Sequence, residues 1–153
     1  MSIFSPGTTR EYDLGITILR VIAGITFAAH GAQKLFVYGF AGVTGSFAQM
    51  GVPLPGITGP LVALVEFFGG LALVVGLLTR LAALGLALDM LGAILLVKLS
   101  GGFFAPKGFE QELGLFAAAA TLAVTVAGAL SLDAVIDRRR GLASTSTMRP
   151  TGA

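Results

Sequence analysis

The sequence predicts an all-α fold: a polytopic membrane protein whose four transmembrane helices form one bundle. Of its 153 residues, 55% are hydrophobic and only 12% are charged. Soluble domains carry about 25% charged residues, and a chain this short cannot bury so much apolar surface inside itself, because small domains keep much of their surface in water. Four apolar segments supply the predicted spans, and two of the three connections between them are rich in glycine and proline.

The residue counts exclude several kinds of chemistry. The chain has no cysteine, which excludes disulfide exchange, thiolate catalysis and iron–sulfur clusters held by its own side chains. A single histidine excludes a bis-histidine haem within one copy, and no set of metal ligands is recognisable. The net charge of +2 is concentrated near the C-terminus, so we interpret it as a topology signal and expect no nucleic-acid binding.

The first helix is predicted at residues 14–37, after a polar cytoplasmic segment at residues 1–13. Arg20, His30 and Lys34 interrupt its apolar sequence. These charges do not fit a secretory signal with a clean cleavage site. We therefore interpret the segment as an uncleaved transmembrane helix.

An external loop is predicted next, because residues 39–60 are rich in glycine and proline and cannot form one continuous helix. A short helix is expected within it, near residues 44–50. The second and third transmembrane helices are predicted at residues 60–78 and 80–99, with a turn at Thr79–Arg80.

The last helix is predicted at residues 113–132, after a second loop at residues 100–112. This uncharged stretch has about the 20 residues that a helix needs to cross the hydrocarbon core. Residues 134–153 are rich in arginine and are predicted to form a disordered cytoplasmic tail.

The positions of the arginines predict the orientation. Arg10, Arg80 and the tail arginines lie on one side if the chain crosses the membrane four times. The positive-inside rule makes that side cytoplasmic. Both termini are therefore expected in the cytoplasm, and the protein in the inner membrane of a bacterial-type cell.

Glycines recur at a spacing of seven residues, which places each pair on one helix face. In lipid, helices associate through close packing at small residues, so we interpret the pairs as packing faces. The pairs are Gly24 and Gly31, Gly69 and Gly76, and Gly85 and Gly92.

Charged residues within the spans are the candidate site residues, because each costs about 2.5–3.5 kcal/mol at a helix centre unless something compensates it. Counting depth along the helices places five of them near the outer ends, beneath the external loops, with a His30–Glu66 pair geometrically possible. We expect these five to form a polar ligand-binding pocket, in which the histidine exchanges protons near neutral pH. They are His30, Lys34, Glu66, Lys98 and Glu112.

Two further charges lie nearer the inner side of the predicted bundle. Arg20 is about two turns into the first helix, and Asp89 shares a face of the third helix with Gly85 and Gly92. We predict a structural Arg20–Asp89 ion pair, with Asp133 as the alternative partner of Arg20.

Four motifs resemble those of DoxX-like membrane proteins, and the resemblance extends over residues 14–133. Residues 30–36 (HGAQKLF) are similar to the end of their first helix, and residues 63–80 (ALVEFFGGLALVVGLLTR) to their second helix and its turn. Residues 101–110 (GGFFAPKGFE) are similar to an outer loop, and residues 131–133 (SLD) to a terminal SLD.

This resemblance implies a four-helix inner-membrane protein. In the DoxX-like family, a small subunit with its partner is associated with thiosulfate:quinone oxidoreduction, and other members are linked to membrane complexes that resist oxidative stress. The present chain has no cysteine to attack or hold a sulfur substrate.

Three functions remain open at this point. The first is a redox-associated membrane subunit that binds a quinone in the outer pocket, with Phe27, Phe36 and Phe67 beside its ring and electrons supplied by a partner. The second is a non-catalytic accessory or scaffold subunit of a larger membrane complex, and the third is a small transporter or channel. The expected partners are the lipid bilayer and either other membrane subunits or further copies of the chain. Whether the protein is an enzyme stays open.

Overall fold

The computed structural model of the protein describes residues 8–125 and 127–147, with side chains described as far as Arg140. These residues form helices and no β-strand, so the predicted all-α fold is confirmed. The α-helices are α1 (Thr9–Ala32), α2 (Gly39–Gln49), α3 (Pro55–Val75), α4 (Thr79–Ala93), α5 (Glu110–Val124) and α6 (Leu132–Thr147).

Three helical stretches in the described part of the chain are long and apolar enough to cross a membrane. They run from Thr9 to Gln49, from Pro55 to Val75 and from Thr79 to Gly101. In the first, a π-helical turn, Gln33–Tyr38, joins α1 to α2. In the third, a π-helical turn, Ile94–Lys98, and a 3-10 turn, Leu99–Gly101, extend α4.

The fourth predicted span is shorter than expected. Helix α5 has 15 residues, or about 22 Å at 1.5 Å per residue, whereas the hydrocarbon core is about 30 Å thick. Four full-length spans are therefore not what the structure shows. Helix α5 lies along α4 as a shorter fourth member of the bundle.

Several predicted helix boundaries are wrong, and two of the differences have a clear local cause. The first helix begins at Thr9, earlier than expected, because Thr8 and Glu11 form a capping box there. The helix expected at residues 113–132 ends at Val124, since Thr125 is extended and Gly128 has a φ of +82°. Apolar composition alone does not reveal this end.

Helix α6 occupies most of the region that was expected to be a disordered tail. Ser131 begins it by accepting a hydrogen bond of 3.1 Å from the backbone N–H of Ala134, as an N-cap residue does. The predicted cytoplasmic segments are only partly described: residues 1–7 of the first and residues 148–153 of the second lie outside the described residues.

Glycines bring α1 and α3 into close contact. A Cβ atom on Gly24 would lie 2.7 Å from the carbonyl oxygen of Gly70, and one on Gly31 would overlap the backbone of Phe67. The predicted packing role of the Gly24–Gly31 pair is confirmed. Gly92 has open space beside it, so the Gly85–Gly92 pair does not form a comparable contact.

The buried core lies where α1, α3, α4 and α5 meet, and includes Phe27, Leu73, Leu86 and Leu122. Many large apolar side chains instead point outward, among them Ile22 on α1. Outward-facing apolar residues on membrane-length helices imply that a lipid bilayer surrounds the bundle.

Candidate functional site

A cavity of about 370 Å³ lies at one end of the bundle, between α1, α2, α3, α4 and α5. We call this the outer end, and the other the inner end. The structure brings all five residues predicted for the outer pocket to the lining of this cavity: His30, Lys34, Glu66, Lys98 and Glu112. Their role in ligand binding stays a prediction.

Glu66 and Lys34 form an ion pair in the wall of the cavity. The Lys34 ammonium group contacts Glu66 Oε2 directly, and Glu66 is only 3% exposed. The π-helical turn after α1 carries Lys34, and such turns often occur at functional sites. The pair considered from the sequence was His30–Glu66, but the residue that forms the ion pair with Glu66 is Lys34. His30 also lines the cavity and is exposed.

Asp89 also lines this cavity, although the sequence had placed it in an ion pair at the inner side. Its carboxyl group lies beside that of Glu66, and the charge of Lys34 acts on it. Asp89 Oδ2 is buried and has no hydrogen-bond partner among the described residues. The signal that could have found it is the small-residue face of α4, since Gly92, one turn further along, lines the same cavity.

The predicted Arg20–Asp89 ion pair is wrong. Arg20 lies at the inner end, where its guanidinium donates hydrogen bonds to the carbonyl oxygens of Leu73 (2.5 Å), Val74 (2.9 Å) and Leu130 (2.9 Å). The last carbonyls of a helix have no partner within it and carry partial negative charge. The end of α3 therefore compensates the buried arginine through direct hydrogen bonds, and the charge of Asp133 acts on it without an ion-pair contact.

Asp133, the alternative partner considered for Arg20, binds the start of α4. Its two carboxylate oxygens accept hydrogen bonds from the backbone N–H groups of Leu78 (2.8 Å) and Thr79 (2.9 Å). Burial raises the pKa of Asp133, but the bonds from Thr79 and Leu78 and the charge of Arg20 together outweigh burial and hold this pKa below its usual value. The SLD motif thus joins α6 to the turn between α3 and α4.

The second lysine of the cavity is fixed from two sides. Lys98 Nζ lies 3.5 Å from Glu112 Oε1 and donates a 3.0 Å hydrogen bond to the carbonyl oxygen of Pro106. The loop that supplies Pro106 folds back tightly: a Cβ on Gly101 or Gly108 would overlap backbone atoms across the loop, so only glycine fits at these positions. The glycines of the third motif therefore allow the compact loop that holds Lys98.

Most of the remaining lining is apolar and comes from five helices and the connection after α2. It includes Phe27, Phe47, Met50, Val52, Val62 and Leu115. Of the three phenylalanines expected beside a ring, only Phe27 lines the cavity. Phe36 and Phe67 pack edge to face outside it, and Phe36 is 75% exposed.

This arrangement suits an amphipathic ligand. Pockets for small molecules have volumes of roughly 300–1,000 Å³ and apolar walls with a few polar groups that fix orientation, and this cavity has both features. The polar groups at its wall include donors (Lys34, Lys98) and acceptors (Glu66, Asp89). No group of three or more potential metal ligands occurs within residues 8–125 and 127–147.

The amino-acid sequence of the chain is similar to those of known proteins. The sequence model of the DoxX family matches residues 15–99. "Putative oxidoreductase CatD" of Bacillus subtilis (strain 168) is 34% identical over 125 residues, which cover 81% of this chain and 88% of that protein. "Inner membrane protein YqjF" of Escherichia coli (strain K12) is 34% identical over 128 residues, which cover 83% of this chain and 95% of that protein.

A third relative covers less of the chain. "Uncharacterized membrane protein Rv3486" of Mycobacterium tuberculosis is 38% identical over 98 residues, which cover 61% of this chain and 60% of that protein. No solved structure is significantly similar to the chain.

Proposed function

This chain belongs to the DoxX family of membrane proteins, and we propose that it is a redox-associated inner-membrane subunit whose outer cavity binds a quinone head group. The observation that carries the proposal is the combination of an apolar cavity with the buried Lys34–Glu66 pair and Asp89 in its wall. Charged groups this deep in a membrane protein are expensive and are typical of functional sites.

Each part of the cavity has a role in this proposal. A quinone supplies the redox chemistry when bound, taking up two electrons and two protons to become a quinol. Lys34 and Lys98 offer hydrogen-bond donors for carbonyl oxygens, and His30, on the exposed side of the cavity, exchanges protons with the aqueous phase. Phe27 and the apolar wall exclude water from the ring.

Electrons must come from a partner, because the chain has no cysteine and a single histidine with which to hold a redox centre of its own. We therefore propose association with another membrane subunit or a reduced substrate that delivers them. The relative named as an oxidoreductase, CatD, supports a redox role.

The proposed topology has four crossings and both termini in the cytoplasm. Asp13, near the start of α1, accepts a 3.3 Å hydrogen bond from the backbone N–H of Ala129, and Arg80 donates one of 3.0 Å to the carbonyl oxygen of Thr125. These contacts gather the start of α1, the start of α4 and the end of α5 at the inner end, as an even number of crossings requires. The relative named as an inner membrane protein, YqjF, supports the location.

Quinone carried by the purified protein tests the proposal. The protein is purified from native membranes in mild detergent, and the quinone in an organic extract is quantified per chain. We expect bound quinone in the wild type and about a 10-fold loss of affinity in Glu66→Gln or His30→Ala, equivalent to one lost polar contact. Asp137→Asn, a carboxyl change on exposed α6, serves as the matched control.

Wild-type protein that neither carries nor binds added quinone contradicts the proposal. If it instead co-purifies with one stoichiometric partner, and the cavity variants keep full function, the accessory-subunit hypothesis replaces it. Solute flux in proteoliposomes that depends on the same residues would indicate the transporter hypothesis.

A further inference from the structure

We propose that Glu66 and Asp89 share a single proton, so that the cavity holds one protonated carboxyl group at neutral pH. The pair would then act as a proton store within the apolar wall. The use made of this proton rests on the proposed function, but its presence is a property of the protein alone. The two ideas can therefore fail separately.

The balance of charges around the cavity supports this inference. Helix α1 and its π-helical turn present His30 and Lys34, α3 presents Glu66, the third span presents Asp89 and Lys98, and α5 presents Glu112. If every carboxyl group were ionised, three negative charges would face two lysines. In an apolar site, an unpaired charge is so costly that the group is neutralised instead.

The positions of the lysines show where the surplus negative charge falls. Lys98 lies beside Glu112 and is further held by the carbonyl oxygen of Pro106. Lys34 contacts Glu66 Oε2. Glu66 and Asp89 are therefore two neighbouring carboxyl groups, and the one lysine near them contacts Glu66. Two carboxylates that share a site cannot both ionise easily.

The hydrogen bonding around Asp89 is consistent with a proton there. Asp89 Oδ2 is buried and accepts no hydrogen bond from any described residue. A carboxylate oxygen left without a donor is unfavourable, whereas a protonated carboxyl group carries its own donor. A proton between Asp89 and Glu66 satisfies both groups while Lys34 neutralises the remaining charge.

The shared proton has a defined use within the proposed function. When a partner reduces a bound quinone with two electrons, two protons must reach its oxygens. This pair gives one of them, and the other comes from the aqueous side. The pair then carries one extra negative charge, which a proton from the aqueous side, arriving past exposed His30, restores. The pair starts and ends the cycle in the same state.

Infrared difference spectroscopy of quinone-free protein tests the inference directly, because only a protonated carboxyl group shows the C=O stretching band of an acid. We expect this band in wild-type protein near neutral pH. We expect it to disappear in Asp89→Asn and equally in Glu66→Gln. Either change leaves a single carboxylate, which pairs with Lys34 and therefore stays ionised. Lys34→Met should increase the band up to twofold, because both carboxyl groups would then be neutral.

Two further variants make the result specific. Glu112→Gln removes a cavity carboxyl that has its own lysine, and Asp137→Asn removes one on exposed α6; both should leave the band unchanged. Gel filtration and thermal unfolding show whether each variant is folded, and unfolded variants are replaced by Asp89→Ser or Glu66→Met. The absence of the band in the wild type, or its survival in either folded pair variant, would overturn the inference.

Discussion

The guanidinium group of Arg20 donates a hydrogen bond of 2.5 Å to the carbonyl oxygen of Leu73, at the C-terminal end of α3. The same nitrogen also bonds the carbonyl oxygen of Val74. Helix α3 then ends at Gly76, whose φ is +72° and where a Cβ atom would lie 2.5 Å from Arg20 Nη1. A buried arginine of α1 thus completes the end of α3, and the glycine leaves room for it.

Replacing Arg20 with leucine should therefore destabilise the bundle. Three carbonyl oxygens would lose their donor, and hydrogen bonds to charged groups contribute about 1.5–3 kcal/mol each in soluble proteins but less between membrane helices. We expect a loss of roughly 2–4 kcal/mol in the free energy of unfolding, measured by denaturant titration in micelles. Arg10→Leu, an exposed change on the same helix, should cost little. Equal stability of the two variants would contradict this role for Arg20.

The carboxylate of Asp133 should give the protein a dependence of stability on acid pH. Its pKa is lower in the folded protein than its ordinary value, because the bonds from Thr79 and Leu78 outweigh burial. The stabilisation is therefore complete above the unfolded pKa, about 3.9, and is lost as pH falls through the folded pKa. Melting temperature measured from neutral to acidic pH should fall less steeply in Asp133→Asn than in the wild type.

The variant should also be less stable than the wild type at neutral pH, by about 1 kcal/mol, as expected for a weakened helix cap. Asp137→Asn, one turn further along α6, should reproduce the wild-type pH profile. If Asp133→Asn retained the full acid dependence, the cap would not be its source.

The contact between α1 and α3 should be sensitive to a single methyl group. A Cβ on Gly31 would overlap the backbone of Phe67, whereas one on Gly15, in the same helix, has nothing within 4 Å. We expect Gly31→Ala to separate the helices and to lower stability by several kcal/mol, as overpacking against rigid backbone does (about 1–3 kcal/mol or more). Gly15→Ala should instead raise stability by up to about 1 kcal/mol through helix propensity. Thermal unfolding of the two variants in the same detergent measures the difference.

The outer cavity could be predicted from the sequence because depth follows from counting residues along a helix. His30 and Glu66 each lie about two turns from the predicted outer end of their helix, and Lys34, Lys98 and Glu112 lie nearer the surface. A regular rise of 1.5 Å per residue brings such residues to one level. All five line one cavity in the structure.

The partners of the two charges nearer the middle of the helices were harder to predict. Arg20 and Asp89 had been paired because both were thought to lie near the inner side, but Asp89 faces the outer cavity and Arg20 faces the end of α3. The sequence shows which residues need compensation, and it does not show that backbone carbonyls can provide it. The end of α5 was missed for a related reason, since apolar residues continue beyond Val124 although the helix does not.

The Lys34–Glu66 pair offers a test that separates stability from binding. Removing one member of a buried ion pair typically costs about 3–5 kcal/mol, whereas removing both can be nearly neutral. Asp89, which lines the same cavity, should offset part of the loss by gaining or releasing the shared proton. We expect Lys34→Met and Glu66→Gln each to destabilise the protein, and the double variant to regain most of that loss in thermal unfolding. Quinone affinity should fall about 10-fold in both single variants and should not return in the double variant, because the polar groups themselves are what the ligand needs. A double variant that recovers both stability and quinone binding would show that the pair only holds α1 to α3, and that the ligand is recognised elsewhere.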